Sequence, residues 1–419
     1  MREMKDSGIE WIGDIPKNWN MSKIGSLYTQ RNEKGSDKEY QPLSVTMQGV
    51  LPQLASAAKT DDGDNRKLVR VGDFAINSRS DRRGSCGISP LDGSVSLINI
   101  ILTPRTTMHP GYYDWLFHTT LFADEFYKWG HGIVADLWTT RWQEMKSICV
   151  PVPEYAEQKR ISEFLNSECA EIDAVLEKTR ASIDEYKKLK QTVITQAVTK
   201  GIRGGRPMKD SGESFLHKVP VGWTNSKIKY CAIFSPLCNT SHLTEDSIVT
   251  FTPMECIKNG YFENREAVFA SMNSSYTQYQ EGDIVFAKVT PCFENGNIAI
   301  MQGLSFEFGF GSSELFVLRP KSINTKFLFY YLQNDIFKQY ACATMTGTGG
   351  LKRVSPSFVR NFPIFLPSDS EQADIAEYLD YKCKEIDLLI SKKQQYLTEI
   401  ENYKKSLIYE YVTGKKEVI

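Results

Sequence analysis

Apolar positions in residues 157–199 step by four and three: Leu165, Cys169, Ile172, Leu176, Thr179, Ile183, Tyr186, Lys190, Val193 and Ala197. The same stepping runs through residues 371–413, at Leu379, Cys383, Ile386, Ile390, Lys393, Leu397, Ile400, Lys404, Leu407 and Tyr411. This is coiled-coil spacing with imperfect members. Neither stretch contains Gly or Pro. Both carry Glu-Gln in the first turn with a Pro just upstream, and Gly201 and Gly414 lie at their ends. The pattern predicts two helices, each roughly 65 Å long at ~1.5 Å per residue. Each could pack along its own globular domain. Two matched helices in one chain are better explained by packing on each other, and the domain between them makes an antiparallel pair easy to close. The seam would include Ile172, Leu176, Ile183 and Tyr186 on one helix, and Ile386, Ile390, Leu397 and Ile400 on the other.

Ahead of each helix the pattern changes to short β-like runs. These are residues 69–78 and 97–102 in the first region, and 283–288, 298–301 and 315–318 in the second. Gly, Asn and Asp punctuate them. A single amphipathic helix is expected near the end of each region, at 112–128 and 324–340. The regions therefore read as α+β domains.

The two halves are copies. MKDSGIEWIGDIPKNWNMSKI (residues 4–24) returns as MKDSGESFLHKVPVGWTNSKI (208–228), with ten of 21 positions identical. Residues 153–199 align without a gap on 367–413, matching Glu157-Gln158 to Glu371-Gln372 and Asp173 to Asp387. The offset grows from 204 to 214, so the second copy is ten residues longer in its middle. Between the matched ends only a skeleton survives, such as Gly72-Asp73-Phe74 against Gly282-Asp283-Ile284. Duplicates that keep their ends and diverge in their middles suggest one scaffold carrying two different recognition surfaces. The division expected is a domain at 1–153, a helix at 154–200, a second domain at 201–367 and a second helix at 368–419. The segment GIRGGRP (201–207) is expected to be a flexible joint.

Composition adds limits. Hydrophobic residues make up 41% and charged residues 24% of 419, ordinary for a globular chain. No apolar run is long enough for a membrane span, and the charged opening MREMKDSGIEW is not a signal peptide. The nine cysteines form no CxxC pair, which fits a reduced cytoplasm rather than a disulfide framework or zinc site. The five histidines show no ligand spacing. A net charge of −1 does not advertise a nucleic-acid binder, so any DNA-facing surface must come from local clustering.

Certain sequences carry a family likeness. The order domain–helix–domain–helix, the WIGDIPKNW opening and the PxxxEQxxI helix start resemble specificity subunits of Type I restriction-modification systems. In the second domain KVTPCFENGN (288–297), SSELFVLRP (312–320) and TGTGGLKRVSPSFVRNFPIFLP (346–367) strengthen the match. The first domain departs from it, with residues 78–84 in place of TPCFENG and Val134-Ala135-Asp136-Leu137 in place of GGLKR. The resemblance implies two related target recognition domains, each followed by a long helix. The helices would form an antiparallel coiled coil with pseudo-two-fold symmetry. Each domain would read one half of a split, asymmetric site on double-stranded DNA, with half-sites about one helical turn apart. It also implies partners: modification subunits, expected to be two, that use S-adenosylmethionine to methylate adenine, and ATP- and Mg-dependent restriction subunits. This chain itself would hold no cofactor and no metal.

Arg and Lys read guanine edges in the major groove, Asn and Gln read adenine, and Ser, Thr and backbone N–H groups hold phosphates. On that chemistry the first domain offers Arg79, Ser80, Arg82 and Arg83, three arginines within five residues beside Gly84. A solvated hairpin tip would look the same. The second domain offers Lys288, Thr290, Asn295 and Asn297, then Thr348, Lys352 and Arg353 in a glycine-rich stretch. Asn-Gly is also a plain turn signal. The aromatic-rich segments at 115–129 and 327–340 are expected to be core rather than base-stacking platforms.

Catalytic motifs are missing. There is no DPPY- or NPPF-like tetrapeptide and no GxxxxGK[ST]. Phe308-Gly309-Phe310-Gly311 imitates a cofactor loop but leads into a strand, not a helix. Glu281, Asp283 and Lys288 loosely resemble a nuclease set, yet a strand with charged ends accounts for them. Two other readings stay open: a divergent methyltransferase or nuclease with its own site, and a coiled-coil adaptor that never touches DNA.

Overall fold

The structure, a computed structural model, describes every residue except 1, 54–62, 133–137, 273, 305, 307, 349 and 419. It contains two compact units, one of Met1–Arg180 with Gln395–Ile419 and one of Ala181–Gln394. Each long helix, Tyr155–Lys200 and Asp369–Val412, therefore contributes to both.

In the first unit the central sheet is antiparallel, ordered Cys86–Ile88, Phe74–Asn77, Asn99–Pro104, Tyr28–Gln30. In the second the order repeats as Ile298–Ile300, Ile284–Ala287, Leu315–Pro320, Ala232–Phe234. The sheet is the skeleton that survived divergence. The second strand of each is buried at all four positions, which fits the apolar runs Phe74–Ile76 and Ile284–Ala287. The run expected at 69–78 is two strands, Arg66–Val69 and Phe74–Asn77, because Gly72 turns the chain at a φ of 87°.

Phe308–Gly311 is a strand, paired parallel to Ile248–Thr252 and antiparallel to Thr277–Gln280. Its glycines serve packing. A Cβ on Gly309 would lie 2.5 Å from the Tyr279 ring.

The single helix expected in each domain is two. The first domain has Pro110–Phe117 and Thr120–Lys128; the second has Thr325–Tyr331 and Asp335–Ala343. The break is a capping event. Thr119 Oγ1 accepts from Phe122 N–H at 3.2 Å, and Asn334 Oδ1 accepts from Phe337 N–H at 2.9 Å, each starting a new helix. The aromatics they carry are core. Phe117 lies 4.7 Å from Phe74 and 4.6 Å from Phe122, ring centre to ring centre, and Phe327, Tyr331 and Phe337 are equally buried in the second domain. Trp129 and Tyr340 are the exposed exceptions in these segments.

The long helices pair antiparallel within each unit. In the first, Phe164 packs on Tyr411, Lys404 Nζ donates to Asp173 at 2.6 and 2.7 Å, and Arg180 pairs with Glu401. In the second, Lys190 Nζ donates to Asp387 at 2.8 and 2.7 Å and Lys393 lies over the Tyr186 ring. Lys404–Asp173 and Lys190–Asp387 are the same pair moved by the 214-residue offset of the repeat. Leu176, Ile183 and Ile386 are buried in the seam, and Ile172, Tyr186, Ile390, Leu397 and Ile400 are partly buried there. The two packing alternatives are not exclusive. Ile161, Leu165 and Cys169 join the core of the first domain, and Ile194, Ala197 and Val198 join that of the second. Burial pushes the Cys169 and Cys383 thiols up to about 11, which makes them poor nucleophiles.

The glycine-rich segment 201–207, expected to be a flexible joint, is tied down. Arg203 pairs with Asp374 at 3.0 Å, and Arg206 pairs with Glu371 while lying over the Trp223 ring. The two charges were legible; their acidic partners lie more than 160 positions away.

Candidate nucleic-acid interface

In each unit the buried second strand of the sheet runs out into a loop, and that loop is held by a second loop following the paired short helices. In the first unit Ser78 N–H donates to Ile98 O at 3.2 Å, Thr140 N–H to Ser78 O at 3.0 Å and Ser80 N–H to Trp138 O at 2.9 Å. In the second, Lys288 N–H donates to Glu314 O at 3.1 Å, Val354 N–H to Lys288 O at 2.9 Å and Thr290 N–H to Lys352 O at 3.0 Å. The ladders are the same. They set Ser78 opposite Lys288 in the comparison of the repeats, Ser80 opposite Thr290, Ile98 opposite Glu314, Trp138 opposite Lys352 and Thr139 opposite Arg353. Gly84 and Gly296, at φ of 76° and 74°, then turn both loops back to the sheet.

The scaffold is shared, but what it presents differs. In the first domain Ser80–Arg82 forms one 3-10 turn, anchored by Tyr127 Oη donating to Asn77 O at 2.9 Å. Arg82 is 68% exposed, and Asp81 is its one ion-pair neighbour among the described residues, at 3.7 Å. Arg83 pairs with Asp124, and Arg79 is half-buried. Ser80 is partly buried and engaged. Residues 134–137, the replacement for GGLKR, lie outside the described residues. Their neighbour Trp138 is 41% exposed.

In the second domain Thr290 is buried, and its hydroxyl is spent inside the protein. Oγ1 donates to Gly350 O at 2.8 Å and accepts from Lys352 N–H at 3.0 Å. It fixes the glycine-rich loop to the strand. Gly347, at a φ of 144°, has room for no Cβ against Leu351 O. Thr348 and Lys352 are exposed on that loop, and among the described residues no ion pair engages Lys352. Asn295 is exposed, whereas Asn297 lines a small cavity with Gln191, Asn259 and Lys338. Lys288 Nζ donates to Ser313 O and sits 3.7 Å from Glu314. Arg353 grips the same carboxylate twice, Nε to Oε2 at 3.1 Å and Nη2 to Oε1 at 2.7 Å. The Arg353 hydrogen bond is the main reason the Glu314 carboxyl titrates below its ordinary value. Glu314 was not among the sequence candidates, although SSELFVLRP contains it. Its importance comes from a contact 39 positions along the chain.

The arrangement can bind and discriminate. Among the described residues no three His, Cys, Asp or Glu side chains gather to hold a metal ion, and no helix is long and apolar enough to cross a membrane.

Residues 221–399 match the family described as Type I restriction modification DNA specificity domain. The chain is 30% identical over 217 residues to the Type I restriction enzyme EcoEI specificity subunit of Escherichia coli, covering 49% of this chain and 35% of that one. It is 34% identical over 180 residues to the EcoAI specificity subunit of Escherichia coli, 42% of this chain and 30% of that one. The matches thus span about a third of the length of these curated relatives. In fold, the chain is similar to one from a structure concerned with complex assembly and conformational transition of the type I R-M system, with a TM-score of 0.74 at 14% identity over 96% of this chain and 99% of that one. It is also similar to the HsdS subunit of Thermoanaerobacter tengcongensis, with a TM-score of 0.51 at 16% identity over 96% and 98%. The class is therefore a duplicated α+β fold with paired long helices. Residues 221–399 carry the Type I restriction modification DNA specificity domain, and the chain is similar to specificity subunits of Type I restriction-modification systems.

Proposed function

We propose that this chain reads a bipartite, asymmetric site on double-stranded DNA, each domain reading one half, and that it carries the modification and restriction subunits of a Type I system. It supplies no chemistry. S-adenosylmethionine, ATP and Mg are held by those partners. One observation carries the reading: identical loop ladders in the two domains present different exposed groups, Arg82 and Trp138 in one, Lys352 and Arg353 in the other. A shared frame with unlike tips suits two different half-sites.

The test is co-expression with the methyltransferase subunit, followed by mapping of methylated adenines on genomic DNA. A split motif, one half of which changes when residues 25–150 are exchanged for those of another such chain, is the expected result. Methylation by this chain alone would establish an internal catalytic site instead. A stable complex that never alters methylation would return the adaptor reading.

A further inference from the structure

The Arg353–Glu314 contact leaves a particular set of donors open. A guanidinium has five N–H bonds in one plane. Glu314 occupies its side edge, taking Nε–H and one Nη2–H. The end edge, an Nη1–H and the other Nη2–H side by side, meets no hydrogen-bond partner among the described residues, and Arg353 is about half exposed. Two parallel donors match the O6 and N7 acceptors of guanine. Holding the side edge removes the rotational freedom that a lone arginine would lose on binding. Lys288 Nζ, 3.7 Å from Glu314 Oε2, places a second cation beside the carboxylate.

We propose that Arg353 reads a guanine in the half-site of the second domain, and that Glu314 is the positioning residue that aims it. The inference rests on the proposed role in DNA recognition and deepens it. The first domain has no such device, because Ile98 and Thr139 occupy the matching places in the ladder. Its half-site owes nothing to a carboxylate-held arginine at this position.

The experiment is methylation mapping of the complex between this chain and its methyltransferase subunit, for the parent and for Glu314→Ala, Glu314→Gln and Arg353→Lys. Lysine keeps the charge and loses the planar fork, so a phosphate contact survives it and a bidentate guanine contact is weakened. Arg353→Lys should lower discrimination at one guanine position on the order of ten- to a hundredfold. Glu314→Ala should relax that same position, with Glu314→Gln in between. The half-site of the first domain should not change, and its persistence shows in the same map that the variant complexes are folded. An unchanged motif in all variants, or an equal fall at every site whatever the base, overturns the inference. A parent complex that methylates without any sequence motif overturns the specificity reading itself, so the two failures are told apart.

Discussion

Trp19 donates its indole N–H to Glu157 at 2.8 Å, in a site where both side chains are buried. Arg2 pairs with the other oxygen of Glu157 and lies over the Trp19 ring. The second unit repeats this with Trp223, Glu371 and Arg206. The neighbouring glutamines complete the clamp. Gln158 accepts from His109 N–H at 2.8 Å and Gln372 from Asn324 N–H at 2.9 Å, tying each long helix to the start of a short helix in its domain. The Glu-Gln signature is thus a docking device. Glu157→Ala and Glu371→Ala should each cost ~2–3 kcal/mol, since an arginine and an indole N–H lose a charged acceptor. Chemical denaturation read by tryptophan fluorescence checks this, and a cost under ~0.5 kcal/mol would refute it.

The same clamp makes stability depend on pH. Hydrogen bonding from Arg206 holds the Glu371 carboxyl below its ordinary value of 4.5. A carboxyl depressed in the folded state stabilises fully above the unfolded value, and that stabilisation disappears as pH falls through the folded one. Thermal melting of the parent should therefore lose ground below about 4.5, and Glu371→Gln should flatten that slope. Parallel profiles for the two proteins would show that the clamp does not titrate.

Gly309 tests the strand assignment of the FGFG segment. Its missing side chain makes room for Tyr279, whose hydroxyl lies 2.6 Å from Thr252 Oγ1. Gly309→Ala places a methyl group against a buried ring and should cost ~1–3 kcal/mol. DNA recognition per folded molecule should not change. A substitution tolerated without loss would mean that the strand can shift, which the parallel pairing to Ile248–Thr252 argues against.

Much of this was legible because it repeats. The heptad stepping, the matched Pro-Trp and Glu-Gln pairs and the buried second strands are local patterns, and duplication marks them twice. The split of the short helices was legible in part. Thr119 and Asn334 are good caps, but aromatic periodicity runs straight through them and hides the break. The site was harder. Thr290 has the chemistry of a phosphate ligand, yet its hydroxyl is used between two loops 60 positions apart. Glu314 reads as an ordinary charge beside a strand until folding brings Arg353 to it.

The inward lysines of the helix seam give a further test. Lys404 and Lys190 occupy seam positions, and each reaches an aspartate on the facing helix. Asp173 and Asp387 are more than half exposed, so each pair contributes little, ~1 kcal/mol or less. Lys404→Met should leave stability within ~1 kcal/mol of the parent or raise it, because an apolar side chain suits a seam position. A loss of several kcal/mol on denaturation would show that the pair fixes the register.

Arg82 and Lys352 separate base reading from charge. Both are exposed at the tips of equivalent loops, and neither is tightly held by a carboxylate among the described residues. Arg82→Ala should alter the half-site of the first domain, at a cost of ~1–3 kcal/mol on the parent sequence and less on sequences changed at the position it reads. Lys352 is a point charge on a loop fixed by Thr290, a placement suited to phosphate. Lys352→Ala should weaken binding about equally on every sequence and lower the slope of log affinity against log salt by about 1. Salt titrations of the methyltransferase complex on matched and altered duplexes distinguish the two. A changed slope with an intact motif for Arg82→Ala would make it a backbone contact. A moved motif for Lys352→Ala would make the lysine a base reader and shift the recognition surface of the second domain towards its glycine-rich loop.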